Sequence, residues 1–394
     1  EYRKGYKANQ FLSMIKLLTV IGARPQIIKA AALSRAVRKY AHQVTEALLH
    51  TGQHYDANMS QVFFDELQIP APTFQLQTGG GSHGEQTAQM IQGIERVLNE
   101  YNPHAVVVYG DTNSTLAAAI AASKLHITLI HIEAGLRSFN KTMPEEVNRI
   151  LCDHVSTFMY VPTHQGIDNL AREGFNIDYT GIPSPDKPRI RHTGDVMYDN
   201  SMYFAKLAQA QSTILVRLQL KQNAFVLATL HRNQNTDSAE RLSSIFKMLL
   251  HLVERNGQHV VLPLHPRTRK MMPQLLDADL QHKIESTTSL IIIDPVSYLD
   301  MIQLEQHCNL ICTDSGGVQK EAYFFKKPCI IFRPQTEWVE LIELKKAFIV
   351  DADFKRFCEV CAELSEDSNQ HWPQLYGNGQ AAEYILQDFL SVVA

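Results

Sequence analysis

Two carboxylates in this sequence follow apolar runs that are typical of buried strands. Asp111 comes shortly after the run Ala105–Tyr109, and Glu133 comes directly after Thr128–Ile132. The alanine-rich stretch between them is long enough for one crossover helix. A right-handed β-α-β connection makes the two strands parallel, so both acids are expected at the edge where open α/β sheets bind ligands. This spacing predicts an enzyme that uses acid/base chemistry.

A third acid, Glu145, begins a helical stretch a short loop after Glu133. Acidic residues are favoured in the first turn of a helix because they complement its dipole, and that role alone would account for Glu145. Its proximity in the chain to Glu133 favours a second interpretation, in which Glu145 joins Asp111 and Glu133 in one cluster.

The turn after the first apolar strand, Gly22 to Pro25, opens a helix that carries Lys29. Glycine permits a tight turn, and proline suits the first turn of a helix. A helix N-terminus attracts anions, and Arg24 and Lys29 add positive charge, so this turn is a candidate phosphate site. An ordinary strand-to-helix turn with surface cations fits the same residues.

A second candidate anion site lies in the C-terminal half, at Ser315-Gly316-Gly317. The two glycines allow the backbone to approach a diphosphate, and Ser315 can cap the following helix while donating to an oxygen. Glu321, one helical turn later, is placed to accept the two hydroxyl groups of a ribose. A capped helix without a ligand is the alternative, but the cations nearby in the sequence favour the anion site.

Few of the seventeen histidines are suggestively placed. His231 and His265 each follow a predicted strand, and neither has the spacing of a metal ligand, so we predict no metal site. The segment Gly79 to Gly84 formally fits G-x-G-x-x-G, but it follows a polar stretch rather than a buried strand. We interpret that segment as a loop over the ligand.

Strand-like runs alternate with helical ones along the chain, which predicts an α/β fold of parallel sheets covered on both faces. A proline-rich segment near 182–195 interrupts this rhythm and predicts two domains, 14–188 and 194–372, with a ligand cleft between them. Residues 1–13 precede the first strand and are expected to be a tag or an extension. The strands are predicted near 15–21, 43–49, 105–109, 128–132, 157–161, 224–230, 259–264, 290–293, 309–312 and 329–332.

The composition narrows the class of partner. The 394 residues carry a formal net charge of -4, which gives no positive field for nucleic acid or anionic lipid. No apolar stretch reaches the roughly eighteen residues that span a bilayer, so membrane insertion is not expected. The six cysteines lie mostly in apolar runs and a chain of this size needs no disulfides, which favours reduced thiols and a cytoplasmic location.

These motifs, in this order, resemble the non-hydrolysing UDP-N-acetylglucosamine 2-epimerases over nearly the whole chain from Met14. The resemblance implies the glycosyltransferase-B architecture, in which two Rossmann-like domains face a central cleft and the C-terminal helix, here 379–393, packs back on the first domain. It also implies a UDP-sugar substrate, a homodimer, and no nicotinamide cofactor or metal. The matching motifs are Gly22–Pro25, Thr51–His54, Gly110–Thr112, Glu133–Arg137, Pro144–Glu146, His231–Arg232 and Thr313–Gly317 with Glu321.

The resemblance also implies a mechanism. The C2 hydrogen of such a sugar is not acidic, so the C1–O bond to UDP breaks first and a carboxylate then removes the C2 proton. UDP adds back to the 2-acetamidoglucal after a proton is delivered to the other face. The implied catalytic residues are Asp111, Glu133, Glu145 and His231, with the base and the acid left unassigned. The implied UDP- and substrate-binding residues are Arg24, Lys29, Gln53, Arg137, Arg232, Ser315, Gly316, Gly317 and Glu321.

Some positions depart from the common family pattern. Trp338 follows Thr336-Glu337 where many members have an arginine, and Tyr55-Asp56 lacks an arginine associated with allosteric activation by substrate. Several stretches look closer to the branch that epimerises UDP-2,3-diacetamido-2,3-dideoxyglucuronate, an O-antigen precursor, so both substrates stay open. The alternatives are a UDP-sugar glycosyltransferase of the same fold, a hydrolysing 2-epimerase that releases UDP, and a non-catalytic nucleotide-sugar binder.

Overall fold

The computed structural model describes residues 14–53, 64, 69–78, 81–366 and 371–393. The chain divides into two compact units. The first unit extends to Asp199 and resumes at Tyr376, and the second unit is Asn200–Leu375. The predicted extension at 1–13, His54 to Asp56 and the glycines Gly79 and Gly80 lie outside the described residues.

The first unit is built on a parallel sheet of seven strands in the order β3-β2-β1-β4-β5-β6-β7. Five of the strands lie close to their predicted positions, while β3 and β7 are short and carry too little apolar pattern to be recognised. The strand β7 lies in the region that the sequence analysis assigned to the domain connection. The strands are β1 (Ile15–Ile21), β2 (Val44–His50), β3 (Phe74–Gln75), β4 (Ala105–Tyr109), β5 (Thr128–Ile132), β6 (Phe158–Val161) and β7 (Arg189–His192).

Described helices lie between β1 and β2 and between each pair of consecutive strands from β3 to β7. Thr112 caps α3 by accepting a hydrogen bond from the Thr115 N–H, and Ser82 with Glu85 forms a capping box at the start of α2. The alanines of α3 are buried, which lets the helix lie close to the sheet. The helices are α1 (Arg24–Lys39), α2 (His83–Tyr101), α3 (Asn113–Lys124), α4 (Pro144–Asp153), α5 (His164–Arg172) and α6 (Val196–Gln211), the last of which continues into the second unit.

The pairing of β4 with β5 decides where the two predicted acids lie. All five residues of β4 are buried, and its valines suit a strand that is covered on both faces. The two strands are parallel, with Tyr109 opposite Ile132 at their carboxyl ends. The chain therefore leaves both strands at the same level of the sheet, and the expectation that Asp111 and Glu133 share this edge is confirmed.

The second unit repeats the architecture with a parallel sheet of six strands in the order β10-β9-β8-β11-β12-β13. Buried apolar side chains of its helices pack against those of its strands to form a core, which includes Phe246, Leu249, Val260 and Leu262. The strands are β8 (Phe225–Thr229), β9 (His259–Pro263), β10 (Leu290–Ile293), β11 (Leu310–Thr313), β12 (Cys329–Ile331) and β13 (Ala347–Ile349). The helices are α7 (Ile214–Arg217), α8 (Asn233–Thr236), α9 (Ala239–Asn256), α10 (Pro266–Leu275), α11 (Ala278–Ser286), α12 (Tyr298–His307), α13 (Gly316–Phe324), α14 (Val339–Glu343) and α15 (Phe354–Glu366).

The last helix, α16 (Ala381–Val393), belongs to the first unit. Asp199 accepts hydrogen bonds from the N–H groups of Ala381 at 3.0 Å and Ala382 at 2.8 Å, which caps the start of the helix. Further along α16, Asp388 pairs with Arg189 of β7 at 2.7 Å. In the described part of the chain, no helix is both long and apolar enough to cross a bilayer.

Candidate active site

Asp111 is held at the carboxyl end of β4 by a buried arginine from α4. Arg149 forms an ion pair with Asp111 and a second one with Glu146, whose carboxylate lies 2.5 Å away. Glu146 in turn accepts the backbone N–H groups of Ser138 and Phe139, both at 2.9 Å. Burial would lower the pKa of Arg149, but the charges and hydrogen bonds of Asp111 and Glu146 raise it above its ordinary value. Asp111 therefore stands beside a permanent positive charge.

Glu133 directly follows β5 and has a strained backbone conformation. Its φ is +72°, in the left-handed region that residues other than glycine rarely adopt. The carboxylate forms an ion pair with Lys29 of α1, and only 12% of the lysine side chain and 10% of the glutamate side chain are exposed. Strain of this kind persists where the surroundings enforce it and is frequent at active sites. Glu133 is thus a fixed, cation-paired acid on the same edge as Asp111.

Glu145 lies in the first turn of α4 and is half-buried. The same helix carries Arg149, which pairs with Asp111, so α4 is tied to the turn after β4. Asn148 adds a hydrogen bond from its amide to the backbone oxygen of Asp111 at 2.9 Å. The membership of Glu145 in the acid cluster stays a prediction.

A buried network that the sequence analysis missed links the turns that carry the two acids. His131 of β5 lies 2.8 Å from the backbone oxygen of Gly110 and 2.7 Å from Asp153. Asp153 also accepts the Gly135 N–H at 3.2 Å and a hydrogen bond from Arg137 at 2.7 Å. Burial would lower the pKa of His131, but the neighbouring Cys152 and Asp153 side chains outweigh burial and raise it well above its ordinary value. A fully buried histidine in an apolar strand, two residues before Glu133, was the available signal.

Arg137 belongs to this network. Its guanidinium donates to Asp153 and, through two nitrogens, to Glu173 at 2.6 and 2.7 Å. Only 1% of the side chain is exposed. This geometry favours a supporting part for Arg137, and its predicted contact with a ligand stays a prediction that the described contacts do not favour.

The turn after β1 is packed more closely than the sequence indicated. A Cβ atom at Gly22 would lie 2.0 Å from Ser114 Oγ and 2.2 Å from Thr51 Oγ1, so a side chain does not fit there. The buried Gln26 accepts the Gly22 N–H at 2.9 Å and donates to the Tyr109 oxygen at 3.0 Å. These contacts fix the start of α1, which presents Arg24 at the surface and carries Lys29 one turn later.

Gln53 follows β2 and contacts the start of α3. Its side-chain oxygen accepts the Ser114 N–H at 3.0 Å and the Ser114 hydroxyl at 2.7 Å. The contacts orient the amide at the same edge of the sheet as the other predicted residues of the first unit. Its predicted role in binding substrate stays a prediction.

In the second unit, Asp314 fixes the turn after β8. This fully buried carboxylate accepts the N–H of His231 at 3.1 Å, the N–H of Arg232 at 3.0 Å and the Asn235 amide at 3.0 Å. His231 Nδ1 lies 2.9 Å away, while 52% of the His231 side chain is exposed. Burial would raise the pKa of Asp314, but the hydrogen bond and charge of His231 and the backbone donor of Arg232 lower it. His231 is therefore oriented through one nitrogen and open to solvent.

The glycine turn at the start of α13 is shaped by Trp338, the residue that departs from the family pattern. Its indole N–H donates to the Gly316 oxygen at 2.9 Å, and Lys320 lies 4.2 Å from the centre of its ring system. Ser315 caps the helix through the Val318 N–H at 3.5 Å. A Cβ at Gly316 would meet Arg333 and Glu337 at 3.6 Å, which is ordinary van der Waals contact. Glu321 lies in α13 and is buried.

The family model for UDP-N-acetylglucosamine 2-epimerase matches residues 36–390. The chain belongs to this family. Within it, the chain is 47% identical to the UDP-2,3-diacetamido-2,3-dideoxy-D-glucuronate 2-epimerase of Pseudomonas aeruginosa, over 95% of this chain and 99% of that protein. It is 38% identical to the UDP-N-acetylglucosamine 2-epimerase of Methanocaldococcus jannaschii, over 95% and 98% of the two chains.

Solved structures of family members agree with the fold. The crystal structure of the Methanocaldococcus jannaschii epimerase in complex with UDP-GlcNAc and UDP is similar with a TM-score of 0.82 and 37% identity, covering 96% of this chain and 100% of that one. The Neisseria meningitidis epimerase bound to UDP-GlcNAc has a TM-score of 0.81 and 29% identity, with the same coverage. The resemblance to the epimerase family and the fold class of two Rossmann-like domains are confirmed.

The predicted site residues of this epimerase family member fall into two sets. The first unit holds the acids, with the cations Arg24 and Lys29 and the amide of Gln53. The second unit holds His231, Arg232, the Ser315–Gly317 turn and Glu321. Among the described residues, no group of three or more histidine, cysteine, aspartate or glutamate side chains is arranged to hold a metal ion.

Proposed function

We propose that this protein epimerises a UDP-2-acetamido sugar at C2 without net hydrolysis, by elimination of UDP and its return to a glycal intermediate. We favour UDP-2,3-diacetamido-2,3-dideoxyglucuronate over UDP-GlcNAc as the substrate. Family membership supports the reaction class, and the 47% identity to an enzyme named for the first substrate supports the choice.

The observation that carries the proposal is the pair of acids at two adjacent strand ends. Asp111 and Glu133 follow strands that end in register, and each acid has its own cation, Arg149 and Lys29 respectively. An epimerase of this kind must remove a proton from one face of C2 and return one to the opposite face, which requires more than one group. Two fixed carboxylates with separate cations meet that requirement, and Glu145 on α4 is the third candidate.

The second unit supplies the groups that suit a departing diphosphate. The start of α13 offers backbone N–H groups at Gly316 and Gly317, and a helix N-terminus favours negative charge. His231 and Arg232 follow β8, which neighbours β11 in the sheet. Donors that are fixed before the reaction stabilise charge as it develops, without reorganisation at that moment. In this proposal they hold UDP while the glycal forms.

The substrate choice rests on chemistry at the glycine turn. UDP-2,3-diacetamido-2,3-dideoxyglucuronate carries a carboxylate and a second acetamido group, which calls for a different arrangement of cations from that for UDP-GlcNAc. Trp338 replaces an arginine of the common pattern, and its buried indole is bound to the Gly316 oxygen. The changed cation pattern supports a different substrate in this chain.

Proton NMR in heavy water tests the reaction and the substrate together. The purified protein is incubated separately with each UDP-sugar, and deuterium at C2, the manno epimer and free UDP are followed. We expect deuterium at C2 with UDP retained, and faster conversion of the diacetamido uronate. Stoichiometric release of UDP would establish a hydrolysing enzyme instead. UDP binding with no C2 exchange in either sugar would contradict the epimerase and favour the glycosyltransferase.

We further propose, from the family resemblance, a homodimer in the cytoplasm that supplies a precursor of a surface polysaccharide. Phe139, Val147 and Leu151 are exposed apolar side chains on α4 and the loop before it, and they support an interface in the first unit. Sedimentation of wild type and V147E/L151E tests the dimer, since the charged variant should sediment as a monomer. Dimers that survive the double substitution would contradict this interface.

A further inference from the structure

The buried network around His131 touches the turns of both predicted acids. Gly110, whose oxygen lies 2.8 Å from His131 Nε2, directly precedes Asp111. Gly135, whose N–H reaches Asp153 at 3.2 Å, follows Glu133 by two residues. Gly110, Glu133 and Gly135 all have positive φ, at 60°, 72° and 78°. The two turns, of which the Glu133 turn is strained, are thus held by one imidazole and one carboxylate.

The partners of the imidazole determine its protonation. A backbone carbonyl oxygen only accepts hydrogen bonds, so Nε2 must carry a hydrogen to bond with Gly110. Asp153 receives hydrogen bonds from Arg137 and the Gly135 N–H, which favours its ionised form. An ionised carboxylate also only accepts, so Nδ1 must carry a hydrogen as well. The ring with hydrogens on both nitrogens is an imidazolium.

The surrounding charges alternate in sign and balance one another. The imidazolium of His131 faces Asp153, Asp153 faces Arg137, and Arg137 makes a two-nitrogen contact with Glu173. The side chains of His131 and Asp153 are fully buried. Removing one partner from such a buried set leaves an uncompensated charge, so the network resists rearrangement.

We propose that His131 is a positioning residue of the proposed reaction, and that its doubly protonated ring, with Asp153, sets the separation of the Asp111 and Glu133 turns. The inference rests on the proposed function, because it concerns the proton transfers of that site. Misplacement of a reacting group by about 1 Å can cost about 100-fold in rate. The described geometry gives His131 no acid/base step of its own, since both nitrogens are committed to Asp153 and Gly110.

The first test is spectroscopic and needs no substrate. With ¹⁵N-labelled histidine, one side chain should keep imidazolium shifts across the pH range in which ordinary histidines lose their proton. That signal should vanish in H131Q. Titration of every histidine at its ordinary pH would overturn the assignment.

The second test separates positioning from substrate binding. In H131Q we expect C2 exchange to slow by about 10- to 100-fold at saturating UDP-sugar, with UDP affinity changed less than about twofold because the groups proposed to hold the departing diphosphate lie in the second unit. H192Q is the matched control, since His192 ends β7 of the same sheet and stacks on His164 at 4.1 Å. D153N repeats the test with a smaller change in shape if H131Q does not fold.

The outcomes distinguish this inference from the proposed function. Unchanged C2 exchange in a folded H131Q or D153N protein, with exchange intact in the wild type, would overturn the positioning role alone. Absence of exchange in the wild type would overturn the proposed function and this inference with it. Equal loss in H192Q would show a general effect of histidine replacement and would also overturn the inference.

Discussion

The two units present charge at their sheet edges in opposite ways. In the first unit, the acids Asp111 and Glu133 are each neutralised by a largely buried cation. In the second unit, a buried acid, Asp314, orients groups that stay open, among them the half-exposed His231. The first arrangement suits proton transfer at fixed points, and the second suits a mobile anion that must arrive and leave. The proposal assigns the proton transfers to residues of the first unit and the stabilisation of the diphosphate to residues of the second.

The largest effect is expected from removing an acid of the first edge. E133Q and D111N should each lower the rate of C2 exchange by about 10²- to 10⁴-fold, because each removes a proton-transfer group. UDP affinity should change little, since the proposed diphosphate groups lie in the second unit. C2 exchange by NMR and UDP binding by calorimetry measure the two quantities.

D168N is the matched control for these variants because Asp168 is an exposed acid on α5 of the same unit. It should keep full exchange activity. A folded E133Q or D111N protein with wild-type exchange would contradict the assignment of that acid. If E133Q or D111N lost UDP binding but kept C2 exchange, the roles would be reversed, with UDP held by the first unit.

A large effect on stability is expected from Arg149. R149M removes the cation shared by Asp111 and Glu146 and leaves the buried Glu146 charge without it. Breaking a buried pair in this way costs about 3–5 kcal/mol. Urea unfolding of R149M should show this loss, while R356M, which breaks the exposed pair with Glu359, should lose less than about 1 kcal/mol. Equal stability of the two variants would show that the buried ion pairs of Arg149 do not stabilise the first sheet edge more than an exposed pair does.

The sequence predicted well where the strands end, but it did not predict the side-chain contacts that hold the acids there. Asp111 and Glu133 were found because apolar runs mark buried strands, and each acid lies within two residues of the end of one. Arg149 and Asp153 lie inside α4, and nothing local in the sequence specifies that they reach β4 and β5. Their partners depend on how α4 lies over the sheet, which is a tertiary property.

The assignment of Arg137 shows the same limitation, because its partners in the folded protein were also not evident from the sequence. An arginine in a loop near an acid resembles a ligand-binding residue in sequence, but its partner Glu173 is 36 positions away. The short strands β3 and β7 were missed because backbone pairing with a neighbouring strand, rather than an apolar pattern, makes them strands. Family resemblance identified the positions of the motifs. Which charged side chains pair with them became evident only from the folded structure.

Glycines give a smaller effect that distinguishes the two edges. G316A should fold with near-wild-type stability, because the new Cβ meets its neighbours at 3.6 Å or more. It should weaken UDP binding about tenfold by obstructing the approach of the diphosphate to the helix N-terminus. G22A should instead destabilise the protein by about 1–3 kcal/mol, because its Cβ has no room beside Ser114 and Thr51. Calorimetric UDP binding and urea unfolding of both variants test the contrast, which fails if G316A binds UDP normally.

The smallest effect is a difference in how stability depends on pH. The pKa of His131 in the folded protein is raised above its ordinary value of 6.5, because the neighbouring Cys152 and Asp153 side chains outweigh burial. Its contribution to the free energy of unfolding is therefore fully present below pH 6.5 and is lost as pH rises through the folded pKa. The stability gap between wild type and H131Q should narrow on the alkaline side.

Asp314 of the second unit behaves with the opposite sign. Its folded pKa is lowered from 3.8, so its contribution is present above that pH and is lost as pH falls through the folded pKa. The gap between wild type and D314N should narrow on the acid side and stay constant in alkali. Asp153 of the first unit also has a lowered pKa, so acid lowers the stability of both units. Only the loss of stability at alkaline pH distinguishes the first unit from the second. Urea unfolding at acid and at alkaline pH measures these differences in the free energy of unfolding. If H131Q and wild type lose the same amount of stability in alkali, the predicted contrast in charge between the two edges is contradicted.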